Sequence, residues 1–139
     1  MNTVKKSPFK LDQFIVKSFS IERNPVKQGE VEFEIKPSGL IDKSKKQFQL
    51  TLEINVKDKN LSFDINMTAL GMFKFKNDAI DATLSNYFYT NAPAIIFPYI
   101  RAYISSISAL SGLHTVNLPV MNVSGLKEDL IANTVNVES

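Results

Sequence analysis

The stretch Asn91–Val123, NAPAIIFPYIRAYISSISALSGLHTVNLPVMNV, decides the architecture. Ile96, Ile100, Tyr103, Ile104, Ile107 and Leu110 recur in it at three- and four-residue spacing, the stripe of a helix that covers a sheet. The helix opens near Asn91, runs about 20 residues or about 30 Å, and stops at Gly112, a residue free to take the left-handed cap conformation. Pro98 removes one backbone hydrogen bond, so the helix either bends there or begins there, and a bend is favoured. Val116–Val123 is then extended and uncharged.

Upstream of this stretch the pattern has period two. Phe9 and Leu11, then Phe14 and Val16, then Phe19 and Ile21 fit one long strand with two register changes, the mark of bulges. RNPVKQGE, Arg23–Glu30, is a loop by its Asn-Pro and Gly. Val31, Phe33 and Ile35 alternate with Glu30, Glu32, Glu34 and Lys36, a half-buried strand, and PSGLIDKSKK is expected to be a loop. Residues 47–68 predict a hairpin, with Phe48, Leu50, Leu52, Ile54 and Val56 on one side of the turn Asp58-Lys59-Asn60. Leu61, Phe63, Ile65 and Met67 follow on the other side. This fourth strand continues to about Phe75, with a bulge expected at Gly71.

After Asn77 the period changes. Asp78–Tyr89 predicts a short helix capped by Asn77 or Asp78. Beyond the long helix, Ser124 can cap a short final helix with Leu126, Leu130 and Ile131 on one side, and NTVNVES is expected to fray. Strands followed by helices give an α+β domain with its helices on one sheet face. No repeat or second domain is visible in the 139 residues.

Composition narrows the chemistry. An apolar fraction of 44% with 22% charged residues is that of a folded domain. There is no cysteine, and the single histidine, His114, lacks the partners a metal site or a catalytic triad needs. No phosphate-binding glycine loop is present. Net charge of +2, with lysines scattered among carboxylates, leaves no nucleic-acid footprint. The amino terminus has no apolar signal core, and Pro98 and Arg101 interrupt the best candidate for a membrane span, so a cytoplasmic, non-membrane protein is expected. Catalysis has no foothold; apolar surface does. Glu30, Glu32 and Glu34 are read as a solvated face that discourages edge aggregation.

From Ala102 to Val123 there is no charged side chain if His114 is neutral. Ala102, Ser105, Ser106, Ser108 and Ala109 make the outer helix surface small and weakly polar, so a second helix can approach it closely. That is a subunit interface, or else a helix buried inside its own chain. Leu113, Val116, Leu118, Val120, Met121 and Val123 likewise either close the core or line a groove; both faces of an extended segment are difficult to bury in one small domain.

Ile96-Phe97-Pro98-Tyr99 with Arg101, then Gly112 and the loop residues Asn117, Leu118, Pro119 and Asn122, resembles the SecB family of export chaperones. That family's pattern is an L-F-P-Y-A-R-like helix opening, a glycine and an L-x-L-x-P-x-N-F-like loop. The resemblance implies a four-stranded antiparallel Greek-key sheet with a long and a short helix on one face. It also implies an ATP-independent holdase, using no cofactor or metal, that binds unfolded or presecretory polypeptides. By position, the groove would use Val26, Leu113, Val116, Leu118, Val120, Met121, Leu126 and Leu130. Ala102, Ser105, Ser106 and Ala109 would lie in a homotetramer interface, a dimer of dimers. Glu22 matches one acidic residue that docks the SecA motor, but Ser18, Asp64 and Asn66 depart from the other docking positions. The loop after the first strand lacks the family's aromatics, the acidic tail is missing, and the pI of about 8.8 is high for the family. The alternative client is an antitoxin of a toxin–antitoxin pair.

Overall fold

A computed structural model describes residues 7–119 and 122–137. Four strands, β1 (Phe9–Arg23), β2 (Val31–Asp42), β3 (Gln47–Asp58) and β4 (Phe63–Phe75), precede the helices α1 (Ala82–Asn86), α2 (Ala92–Ala109) and α3 (Lys127–Ala132). A π-helical turn, Tyr87–Asn91, joins α1 to α2, and a 3-10 turn, Val123–Leu126, leads into α3. A fifth strand, β5 (Thr134–Val137), follows. The sheet order is β1-β4-β3-β2-β5. Its first four strands are antiparallel with β1 returned beside β4, the Greek-key order, while β5 runs parallel to β2.

The period-two segments become strands because each can bury one side. On β3, Phe48, Leu50, Leu52, Ile54 and Val56 are buried, and on β4 Phe63, Ile65, Met67, Ala69, Phe73 and Phe75 join them. The two register shifts of β1 fall between Leu11 and Gln13 and between Val16 and Ser18. Each resets the alternation, so Phe9, Leu11, Phe14, Val16, Phe19 and Ile21 all lie against the core.

The helical path buries Leu84, Phe88, Ala92, Ile96, Ile100, Ile104 and Ser108 at a spacing of four, with Pro93 and Phe97 buried beside them. An α-helix turns about every 3.6 residues, so that spacing would drift off the sheet. The wider π turn takes up part of the drift. Pro98 is interior to α2 rather than its start. Phe88 sits in the π turn and ties it to the sheet, stacking on Phe48 at 4.6 Å and meeting Phe75 at 5.2 Å.

Several expectations change. PSGLID is strand, not loop: β2 runs to Asp42 and the turn shrinks to residues 43–46. Pro37 is tolerated because it lies on the outer edge just short of β5, where no strand needs its missing N–H. Gly71 is not a bulge. It pairs with Phe14 and lets α2 approach, since a Cβ there would stand 2.8 Å from Ile96 Cγ2. The first helix starts at Ala82, capped by Asp81, whose carboxylate accepts the Leu84 N–H at 2.8 Å, rather than by Asn77 or Asp78. Asn122 rather than Ser124 caps the last helical segment. Thr134–Val137 does not fray but forms β5. No helix among the described residues is long and apolar enough to cross a membrane.

Candidate functional site

The end of β1, the start of β4 and the end of α2 meet at one pole of the molecule, and the segment after α2 is fastened there by polar contacts. Arg23, the last residue of β1, donates from Nη1 to Ser111 Oγ at 2.7 Å and Ser108 O at 3.3 Å, and from Nη2 to His114 O at 2.6 Å. Ser108 is fully buried; its hydroxyl donates to Ser105 O at 3.2 Å and accepts the Val116 N–H at 2.8 Å. It therefore staples the extended segment rather than lying on the outer helix surface expected for it. His114 Nε2 lies 3.0 Å from Gln28 Oε1, which connects this segment to the loop after β1. Sequence reasoning placed Arg23 at the start of that loop and missed its role as a clamp; partners 85 to 91 residues away leave no local signal.

Arg23→Ala is expected to accelerate amide hydrogen exchange across residues 111–117 and to destabilise the protein by about 1–3 kcal/mol through lost charge-assisted bonds. Arg23→Lys should restore little, because a compact ammonium cannot span acceptors that a planar fork reaches. Unchanged exchange in Arg23→Ala would show that the clamp holds nothing.

The loop after β1 is itself pinned. Asn24 Nδ2 donates to Leu61 O at 2.9 Å, Asn60 Nδ2 to Lys27 O at 3.0 Å, and the Gly29 N–H to Asp58 Oδ2 at 2.7 Å. The other carboxylate oxygen of Asp58 accepts the Phe63 N–H at 3.1 Å. Burial alone would raise the Asp58 carboxyl, but the N–H groups of Gly29 and Phe63 and bonding from Ser62 together outweigh it and hold it below the usual value of 3.8. A lowered folded value stabilises the fold above the unfolded value, and that stability is lost as pH falls through the folded one. The stability gap between the wild type and Asp58→Asn should therefore be full at neutral pH and shrink below about pH 4 in acid unfolding. A gap independent of pH would contradict this role.

Four of the large apolar side chains left in solvent lie on the same pole. Val26 is 50% exposed, Leu61 52%, Leu110 83% and Leu113 39%. Val26 and Leu113 were expected; Leu61 and Leu110 were not. Leu61 was assigned to the fourth strand, but its φ of +54° places it in the turn and outward. Leu110 was assigned to the stripe on the sheet, but it lies past the last turn of α2. Val116, Leu118 and Leu130 pack into the core, and Leu126 is packed against it, half-buried. Those first three close the core in this state rather than lining an open groove. Val120 and Met121 lie outside the described residues.

The outer side of α2 carries Ala102, Ser106 and Ala109 in solvent, in line with the exposed Ile95 and Tyr99. Ser105 is half-buried, its hydroxyl 3.3 Å from Asn117 Oδ1. Tyr99 stacks on Phe14 at 5.4 Å and Tyr103 meets Phe19 at 5.1 Å, so this uncharged surface continues onto β1. On the helix-free face of the sheet, Glu22 is exposed and opposite Asp64, with Ser20 opposite Asn66 and Ser18 opposite Thr68. Asn55 Nδ2 donates to Asp64 Oδ1 and Asn66 Oδ1, each at 2.9 Å. Among the described residues no group of three or more His, Asp or Glu could hold a metal.

Against known proteins, the family model described as "Preprotein translocase subunit SecB" matches residues 3–133. The "Uncharacterized protein MJ0357" of Methanocaldococcus jannaschii is 35% identical over 66 residues, 48% of this chain and 42% of that protein. The aligned part thus spans under half the length of that relative. Among solved structures, the fold is shared with the Mycobacterium tuberculosis Rv1957 SecB-like chaperone in complex with a ChAD peptide from the Rv1956 HigA1 antitoxin. The TM-score is 0.67 at 13% identity, over 81% of this chain and 87% of that one. A Streptococcus agalactiae protein of unknown function aligns over 81% of this chain and 97% of that one, at 11% identity and a TM-score of 0.49.

Proposed function

The chain belongs to the SecB family, and from that premise we propose that it is an ATP-independent holdase that binds non-native polypeptides in the cytoplasm. The observation that carries the reading is the exposed apolar rim of Val26, Leu61, Leu110 and Leu113 beside a segment fastened by side-chain hydrogen bonds and by the burial of Val116 and Leu118. Such a rim gains free energy by covering apolar client segments, about 25 cal/mol per Å² removed from water. It contains no group that would choose one sequence. Lifting the segment would add Val116 and Leu118 to the contact surface, which reconciles their burial here with a place in the groove. Val120, Met121, Leu126 and Leu130 remain candidates for the same surface.

The protein should suppress aggregation of a chemically unfolded reporter at stoichiometric ratio without nucleotide. Aggregation that proceeds unchanged would sink the reading. The uncharged outer side of α2 supports a closed homo-oligomer, proposed as a tetramer built from two dimers.

The likeness to a chaperone bound to an antitoxin peptide favours a second client class, a single antitoxin instead of many presecretory chains. Clients captured from the host separate the two: a broad set supports export, one small DNA-binding protein supports the dedicated role. SecA binding is proposed to be weak, because Glu22 is one exposed carboxylate and such a charge contributes about 1 kcal/mol or less. Its affinity should weaken further as salt rises; tight, salt-resistant SecA binding would contradict the proposal.

A further inference from the structure

The pole opposite the apolar rim is basic. Lys43, Lys45 and Lys46 lie in the turn between β2 and β3, Lys74 and Lys76 at the end of β4, and Lys10 at the start of β1. Scattered through the sequence, these lysines leave no footprint; the sheet brings them to one end. The Phe75 N–H donates to Lys46 O at 3.0 Å and the Lys76 N–H to Pro8 O at 3.2 Å, which joins the three segments side by side. Lys10 stands directly opposite Lys74 in the β1–β4 ladder, and Lys74 opposite Gln47.

The carboxylates at this pole are already engaged. Asp42 closes the turn, accepting from Ser44 Oγ at 2.8 Å and from the Lys45 N–H at 3.1 Å. Asp78 pairs with Lys46 at 2.8 Å, Asp12 reaches Lys74 at 3.6 Å, and Asp81 caps α1 through the Leu84 N–H. Among the described residues Lys10, Lys43, Lys45 and Lys76 form no ion pair, and all four are exposed. Like charges directly opposite in a ladder, as Lys10 and Lys74 are, oppose pairing, and an anion between them would relieve the repulsion. Lys46 is held at a φ of +51°, where glycine is less strained, by the Asp78 pair and by its ammonium donating to Lys76 O at 3.5 Å.

The ligand follows from the chemistry around these charges. Phe9, Phe73 and Phe75 turn inward and are buried, so no ring is offered for a base to stack on. Residues 43–47 carry no apolar side chain to enter a lipid interface, and α1, at five residues, is too short to lie in one. What remains is a row of ammonium groups anchored on neighbouring strand ends, suited to a fixed array of phosphates. We propose that this pole binds the phosphate backbone of a nucleic-acid duplex without reading its sequence. β1, 15 residues and about 45 Å long, separates it from the apolar rim, so the chain holds a client at one pole while attached to nucleic acid at the other.

The test is fluorescence anisotropy of the full-length protein with labelled RNA and DNA duplexes of about 20 base pairs, each in two unrelated sequences. Saturable binding that ignores sequence is expected, and the tighter of the RNA and DNA arms identifies the source of the phosphates. The four lysines without an ion pair predict a slope of log affinity against log salt of about −3 to −4, a loss of about a hundredfold between roughly 50 and 200 mM. Lys43→Ala with Lys45→Ala, both exposed turn positions, should flatten that slope by about 2, while Lys27→Ala at the opposite pole should leave it unchanged. Arginine at 43 and 45 should preserve binding, since charge rather than shape is used. Adding an unfolded chain should not displace the duplex. No saturable binding at about 50 mM salt, a slope untouched by the double variant, or equal affinity for polyglutamate or phosphatidylserine vesicles overturns the site. Displacement by the unfolded chain overturns its separation from the rim.

Discussion

Ala102→Asp is expected to dissociate the proposed assembly, raising its dissociation constant by about a hundredfold or more, since an unpaired buried charge costs roughly 3–5 kcal/mol. Ala102 lies mid-way along the uncharged outer side of α2, between Tyr99 and Ser106. Small side chains there allow close helix approach, so a carboxylate would be forced out of water with nothing to pair it. Ala109→Asp should act in the same direction, and Ala102→Ser should leave assembly intact. Sedimentation at micromolar concentration reads the outcome. A wild-type monomer, or an Ala102→Asp variant that assembles normally, would remove the interface from this face.

Phe88→Ala should produce the largest loss of stability of any single change considered, about 3–5 kcal/mol. The ring is fully buried and touches Phe9, Phe48, Phe75 and Tyr89, so it joins the π turn to the sheet. Truncation leaves a cavity that aromatic neighbours fixed on strands cannot fill. Leu110→Ala is the informative contrast. With 83% of Leu110 already in solvent, stability should change by less than about 0.5 kcal/mol, while affinity for an unfolded chain should fall. Thermal unfolding and client titration of both variants check the pair. A destabilised Leu110→Ala, or one that binds clients normally, would show that Leu110 is not part of the holding rim.

The strands were legible because alternation is a local property. Even the two bulges of β1 could be read, since each shifts the phase of the apolar residues by one. The long helix and its stop at Gly112, whose φ is +86°, were legible for similar reasons. The misses have physical causes. Pro37 and Gly39 resemble loop chemistry, yet one lies at an open edge and the other makes room for Thr134, so β2 continues through both. β5 is only four residues long and gains its stability from an edge that the local sequence does not reveal. The π turn corrects a phase error that appears only when seven buried positions are laid on one sheet.

The site was less legible than the fold. Apolar character along residues 113–123 was visible, but which side chains face water depends on the Arg23 clamp and the Ser108 staple. Val116 and Leu118 are therefore buried, an outcome decided by contacts across the chain, while Leu61 and Leu110 are exposed by their places in the turn after β3 and past the last turn of α2.

Binding of a permanently unfolded polypeptide, titrated at low and high salt, tests the central claim most directly. Holding through an apolar rim predicts saturable binding that persists at about 1 M salt, where the Debye length is only about 3 Å, with a negative heat-capacity change from buried apolar surface. No binding at either salt, or binding that vanishes as salt rises, would contradict a chaperone that works through its apolar surface.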